Sequence, residues 1–82
     1  MNKIKDLAED ILLNATDYIG NNPRRFGVDN IDMHSMCNNT NFRQMVADVV
    51  SENPEEYVNE SENQEAAADF VMKLYVKWAY GN

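Results

Sequence analysis

The stretch IKDLAEDILLNATDYIG, residues 4–20, decides the fold class of this chain. Its apolar residues recur at steps of three and four, which is the period of an amphipathic α-helix. Leu13 alone falls on the opposite face, among Asp6, Asp10 and Asp17. Gly20 tolerates the left-handed conformation that ends many helices. The stretch predicts a long first helix. Its core face is formed by Ile4, Leu7, Ala8, Ile11, Leu12, Ala15, Tyr18 and Ile19.

The stretch AADFVMKLYVKWAYGN, residues 67–82, predicts a second long helix. Ser61 and Gln64 have the spacing of a capping box, so we expect this helix to begin at Glu62. Gly81 can close it in the left-handed conformation. The residues of the predicted core stripe are Ala67, Phe70, Val71, Leu74, Tyr75 and Trp78.

Shorter patterns lie between these two helices. Residues 21–27, NNPRRFG, are expected to form a loop, because proline and glycine punctuate them. Asp29 can cap a short helix over DNIDMHSM, residues 29–36, and Thr40 can cap a longer helix that ends near Glu52. The core face of the longer helix is formed by Phe42, Met45, Val46, Val49 and Val50.

Asn53 and Pro54 are typical of a helix start, because a capping residue is followed by a proline at the first helical position. A short helix is therefore expected to run to about Asn59. No segment has the alternating pattern of a strand. The sequence predicts an all-α fold: a compact single-domain bundle of four to five helices over residues 1–82, with long first and last helices.

The composition restricts the class of protein. A chain of 82 residues is typical of one domain, and a hydrophobic content of 44% is too high for a disordered segment. The single cysteine, Cys37, excludes an internal disulfide and favours a reducing compartment. No apolar run approaches the ~20 residues of a membrane span. We expect a cytoplasmic protein without membrane contact, in the host cytoplasm if a phage encodes it.

No group of residues predicts catalysis. His34 and Cys37 are three residues apart, but a zinc site normally has four ligands and the chain has no second His or Cys. A Cys–His catalytic pair would also need a group that orients the base, and none is evident. We expect a half-buried histidine beside a small core cysteine, and a non-enzymatic protein without a metal or a cofactor.

Residues 29–52 have the proportions of a helix–turn–helix. Asn41, Arg43 and Gln44 stand where a recognition helix places its base-reading side chains. However, Asp48 follows directly, and the segment lacks the basic rim that contacts to phosphates require. A small helix–turn–helix DNA-binding regulator is therefore the alternative hypothesis, and direct nucleic-acid binding is not the leading one.

The charge distribution is the most informative feature of the sequence. The net charge is −7, yet residues 1–43 carry six acidic and five basic residues. Between Gln44 and Met72 there are eight acidic residues and no Lys or Arg. In one interpretation these acids form a solvated face and partly serve helix N-termini. In the other, rows of carboxylates imitate a phosphate backbone and occupy the basic groove of a nucleic-acid-binding protein.

The leading hypothesis is an inhibitor that engages a nucleic-acid-handling protein through this acidic half. In size, charge and helical character the chain is similar to phage-encoded anti-CRISPR, anti-restriction and polymerase-binding proteins, and no family motif accompanies that similarity. The predicted partner-binding residues are the eight acids and three apolar residues in line with them on the last helix. They are Asp48, Glu52, Glu55, Glu56, Glu60, Glu62, Glu65, Asp69, Met72, Val76 and Tyr80.

A dimeric structural or assembly subunit is a further alternative. Met72, Val76 and Tyr80 lie opposite the core stripe. Either the short helices of the bundle cover them, because a helix that is apolar on all sides is usually buried, or they meet another chain, because apolar patches tend to mark contact sites. In a symmetric dimer, however, the neighbouring acids would repel one another across the two-fold axis. That repulsion favours a foreign partner with a basic rim over a second copy of the chain.

Overall fold

The computed structural model describes residues 3–28 and 30–81, and within these ranges it contains helices and no strand. The helices follow one another as α1, Lys3–Asn21; α2, Pro23–Phe26; α3, Asn30–Cys37; α4, Thr40–Glu52; α5, Pro54–Tyr57; the 3₁₀ helix η1, Val58–Ser61; and α6, Gln64–Tyr80. The predictions of an all-α fold and of long first and last helices are confirmed. The described ranges hold six α-helices rather than four or five.

The additional helix lies in the segment that was expected to be a loop. Pro23 occupies the first turn of α2, where its fixed φ suits a helix and its missing N–H costs nothing. Gly27 ends α2 with a φ of 64°, the left-handed conformation that favours glycine. This four-residue helix turns the chain back towards α6 and positions Arg25, described below.

The end of α1 differs from the sequence prediction. Gly20 does not adopt a positive φ, and the helix continues to Asn21. The backbone N–H of Asn22 donates to the carbonyl oxygens of Tyr18 and Ile19 at 3.0 and 3.1 Å. These bonds satisfy the last turn without a left-handed residue, so Gly20 is not needed as a cap.

Two predicted N-caps are displaced by one and two residues. The side chain of Asn39, rather than that of Thr40, accepts from the N–H of Phe42 at 3.0 Å. At α6 the cap is Asn63, which accepts from the N–H of Ala66 at 3.1 Å. Ser61 is not a cap, because it ends η1 and its hydroxyl donates to the Val58 carbonyl oxygen at 2.9 Å. The predicted Asp29 cap lies outside the described residues.

The displaced cap of α6 can be tested directly. Asn63→Ala should lower the free energy of unfolding by about 1 kcal/mol, since it leaves an N–H of the first turn without its acceptor. Ser61→Ala is the matched control and should cost less than Asn63→Ala, because it removes only the hydroxyl bond to the Val58 carbonyl oxygen and leaves the first turn of α6 capped. Urea unfolding of both variants measures the difference. A larger loss of stability for Ser61→Ala than for Asn63→Ala would mean that Ser61 is the cap.

The core lies where α1 packs against α6, with α3 and α4 closing it. Small side chains allow α1 and α6 to approach closely, because Ala8, Ala15, Ala67 and Ala68 are all buried. Ala68 was not part of the predicted core stripe. The remaining buried residues are Ile11, Leu12, Ile19, Met33, Cys37, Phe42, Val46, Val50, Val71 and Leu74.

The other residues of the predicted core faces line the edge of this core. They are half-buried and pack against the buried set: Ile4, Leu7, Tyr18, Met45, Val49, Phe70, Tyr75 and Trp78. Leu13 is 61% exposed, as its place on the polar face of α1 predicts. The assignment of the core faces from helical periodicity is thus correct for α1 and α4 and nearly complete for α6.

Candidate protein-binding surface

The predicted acidic surface is divided by contacts within the protein. Arg25 pairs with Glu65 through Nη1 and Oε1 at 2.7 Å, and with Asp69 through Nη2 and Oδ2 at 3.7 Å. Asp48 accepts a hydrogen bond from the side-chain amide of Gln44 at 2.9 Å. Three of the eight acids therefore already have polar partners, and two of these three are partly neutralised by one arginine.

Arg25 is held in place by aromatic rings as well as by acids. Its guanidinium lies 5.7 Å from the ring centroid of Tyr18 and 5.3 Å from that of Phe26, and Nη1 donates to the Tyr18 hydroxyl at 2.8 Å. The bonds to Tyr18 and then to Glu65 raise the pKa of Arg25. Sequence reasoning missed this arrangement, because it expected a loop where α2 folds and so had no reason to place Arg25 beside α6.

A second group of acids surrounds Tyr57. Burial raises the pKa of the Tyr57 hydroxyl, and the nearby carboxylates of Glu56, Glu60 and Glu52 raise it further. The Tyr57 ring packs on that of Phe70, with centroids 4.5 Å apart, and so ties this segment to α6. We call these three acids, together with Glu55 beside Glu56 in the sequence, the acidic turn.

The acidic turn is built from three successive helices. Glu52 ends α4, Glu55 and Glu56 lie in the first turn of α5, and Glu60 lies in η1. Although the chain breaks its helix at Asn53, the carboxylates at steps of four still act on one hydroxyl. In the sequence, the four-residue spacing of Glu52, Glu56 and Glu60 is the signal that could have indicated this site, whereas nothing marked Tyr57 as their common neighbour.

Glu60 differs from the other acids of the turn. It is half-buried, and within the described residues its Oε2 atom is buried without a hydrogen-bond partner. Burial, followed by repulsion from Glu56, raises the pKa of the Glu60 carboxyl, and the charge of Lys73 on α6 opposes that rise. Unlike exposed Glu52, Glu55 and Glu56, Glu60 is therefore partly held against the body of the protein.

The raised pKa of Glu60 predicts a pH-dependent term in stability. Between the unfolded value and the higher folded value the native state binds more protons, so this contribution is present at low pH and is lost as pH rises through the folded pKa. Glu60→Gln should therefore stabilise the protein near neutral pH and flatten its stability profile above about pH 4.5. Urea unfolding across that range measures it, with the exposed Glu62→Gln as control. Identical profiles for wild type and Glu60→Gln would contradict the prediction.

The apolar part of the predicted surface is also rearranged. Met72 differs from expectation, because it is half-buried and packs against the core. Val76 and Tyr80 remain on the outside, 46% and 71% exposed, and the exposed Lys73 and Lys77 lie on the same part of α6. We call Lys73, Val76, Lys77 and Tyr80 the α6 end patch. Its surface is basic and apolar rather than a continuation of the acids.

The residues of the helix–turn–helix alternative are largely engaged within the protein. Arg43 donates to the Cys37 carbonyl oxygen at 3.3 Å through Nη1 and pairs with Glu9 at 3.2 Å through Nη2. Gln44 donates to Asp48, as described above. Of the three side chains expected to read bases, Asn41 is exposed, whereas Arg43 and Gln44 are occupied by these contacts.

His34 and Cys37 differ in exposure. His34 is exposed rather than half-buried, whereas Cys37 is buried and forms no disulfide. Burial raises the pKa of the Cys37 thiol, and a hydrogen bond with Thr16 and the charge of Arg43 oppose this rise. In the part of the chain that the structure describes, no group of three His, Cys, Asp or Glu residues is arranged to hold a metal ion.

Two open grooves flank α1. One, of about 530 Å³, runs between α1 and α4 over the buried side chains of Ala8 and Leu12. The other, of about 410 Å³, lies between α1 and α3 and includes Leu13. Glu9 and Arg43 line both grooves, so their ion pair stands between them. Charges of both signs line each groove, and Asp48 is the one acid of the predicted surface that lines the groove between α1 and α4.

Comparisons with protein families, with characterised proteins and with solved structures give no match for this chain. Across residues 3–28 and 30–81, none of the helices combines the length and the apolar character needed to cross a bilayer.

Proposed function

We propose that this protein is a small acidic inhibitor that binds a nucleic-acid-handling protein through the acidic turn. The proposal rests on the exposure of three carboxylates and on their lack of ion pairs within the described ranges. Glu52, Glu55 and Glu56 are exposed, and no ion pair reaches them from any residue that the structure describes. Arginines pair with Glu9, Glu65 and Asp69, whereas these three carboxylates are left without a cation from the described residues and are open to a partner.

The partner that suits such a surface has a basic groove. Exposed carboxylates at successive positions resemble the phosphates of a nucleic-acid strand in charge, and complementary charge accelerates association and adds specificity. Glu62 is exposed next to the turn and extends it towards α6. Phage-encoded inhibitors of CRISPR, restriction and polymerase enzymes are the functional class that this chemistry suggests.

The first experiment identifies the partner and its binding site. Tagged protein is used to capture partners from lysate of the native host at low and moderate salt, and the captured proteins are identified by mass spectrometry. We expect a nucleic-acid-binding protein that is retained at low salt, released as salt screens the charges, and displaced from its labelled nucleic acid by this chain. Recovery of DNA instead of such a protein would favour the helix–turn–helix alternative.

The second experiment tests the acidic turn itself. Reversing Glu52, Glu55 and Glu56 to lysine should weaken binding to the captured protein by about tenfold to a hundredfold, because several complementary charge contacts are lost. The matched control reverses Asp6, Asp10 and Asp17, three exposed acids of α1, and so changes the net charge equally.

Circular dichroism confirms that both triple variants remain folded before their binding is compared. We expect the control to retain most of the affinity, since its charges lie outside the turn. Equal losses in the two variants would mean that only net charge matters. Unchanged binding by the Glu52, Glu55 and Glu56 variant would make these acids ordinary solvated residues.

A further inference from the structure

The α6 end patch combines exposed apolar and basic side chains. Val76 and Tyr80 are one helical turn apart, and Lys73 and Lys77 accompany them at the same spacing. These lysines are the only basic residues after Arg43 in the sequence. An exposed apolar pair with cations beside it suits a partner surface that carries carboxylates next to an apolar side chain.

The acidic turn is a surface of that kind, and it lies beside the patch in the same molecule. The charge of Lys73 acts on Glu60, and the Tyr57 ring packs on Phe70, one turn before Lys73 on α6. Val58, which follows Tyr57, is 47% exposed. One side of the protein thus carries carboxylates and an apolar side chain next to lysines and an apolar pair.

Repulsion between acids was the argument against self-association, and Arg25 weakens it. Glu65 and Asp69 precede the patch on α6, and both are paired with this arginine. Their charge is therefore partly compensated before a second molecule approaches. In the acidic turn, by contrast, no ion pair from the described residues reaches Glu52, Glu55 or Glu56.

We infer that a second copy of this chain docks on this side of the protein, about a two-fold axis. In such an isologous contact, the α6 end patch of each copy faces the acidic turn of the other, so every lysine–carboxylate contact occurs twice. Val76 and Tyr80 are covered at the same time. The dimer goes beyond the proposed function and would compete with it, because it covers Glu52, Glu55 and Glu56.

A charge exchange between two variants tests this arrangement without any foreign partner. Sedimentation equilibrium of the wild type at low salt should show a dimer that dissociates as salt is added. Lys73→Glu with Lys77→Glu, and separately Glu52→Lys with Glu56→Lys, should each weaken self-association by about tenfold or more. An equimolar mixture of the two variants should form a heterodimer, because both sets of opposite charges are then restored.

Val76→Glu tests the apolar half of the contact, with Leu13→Glu as the matched control at an exposed position on α1. We expect Val76→Glu to keep its melting temperature and lose the dimer, and Leu13→Glu to keep both. A wild type that stays monomeric at low salt overturns the inference. So does a dimer that survives the charge variants, or a mixture that does not associate. Partner capture by the acidic turn would be unaffected by those results, so a failure of the dimer is distinct from a failure of the proposed function.

Discussion

Phe42→Ala is expected to lower the free energy of unfolding by about 3–5 kcal/mol, among the largest losses expected from a single substitution in this protein. Phe42 is fully buried in α4, and its ring meets those of Trp78 and Tyr75 edge-on, at centroid distances of 5.5 and 6.3 Å. Truncation removes the buried ring, leaves a cavity and ends both aromatic contacts. A chain of this size has a total stability on the order of 5–10 kcal/mol, so the variant would lose a large part of it.

Urea unfolding followed by circular dichroism measures this loss. Phe42→Leu is the control, because it keeps a buried apolar side chain and should cost clearly less than alanine. If the alanine variant is too unstable to fold, the leucine variant still tests the packing of Phe42, because a lower urea midpoint than that of the wild type shows that the ring contributes to stability. A loss below about 1 kcal/mol for Phe42→Ala would mean that α4 does not pack against the end of α6 as described.

Leu12→Ala is expected to cost about 2–5 kcal/mol, as large-to-small substitutions in a core do. The side chain of Leu12 is on the buried face of α1, whereas that of Leu13, the next residue, is 61% exposed. Leu13→Ala changes the same side chain in the same helix and should cost less than about 0.5 kcal/mol. Leu74→Ala on α6 should resemble Leu12→Ala, because Leu74 is also buried.

The pair Leu12 and Leu13 separates core packing from helix propensity, since both substitutions introduce alanine in the middle of α1. Thermal or urea unfolding of the two variants provides the comparison. Equal losses would mean that the buried face of α1 is misassigned. A loss below about 0.5 kcal/mol at both Leu12 and Leu74 would contradict the core described for α1 and α6.

Much of the fold could be predicted because helical periodicity is a local property. The repeat from Ile4 to Ile19 assigned the buried face of α1 correctly, and Pro54 marked the break after α4. Cap positions were less predictable. Asn39 and Thr40 both suit an N-cap, as do Ser61 and Asn63. Which of them caps the helix depends on the residue at which the preceding turn ends. In the second case η1 occupies Ser61 and leaves the cap to Asn63.

The sequence predicted which acids belong to the candidate site, but it did not predict which of them are paired within the protein and which stay free of ion pairs. The sequence identified the acidic segment, yet it could not show which acids find a partner across the fold. Arg25 lies forty residues before Glu65, and their contact depends on α2, a four-residue helix in an expected loop. Short helices carry little periodic signal, because one turn cannot display an apolar stripe.

The amino-acid sequence by itself determined the all-helical class, the buried faces of the long helices and the concentration of acids after Gln44. These properties follow from side-chain spacing and charge along a few turns of chain. Only the tertiary structure decided that Arg25 holds Glu65 and Asp69, that three carboxylates surround Tyr57, and that Met72 packs inward. The physical reason is distance: a charge or a ring acts over a few ångströms, and packing sets which distant residues come that close.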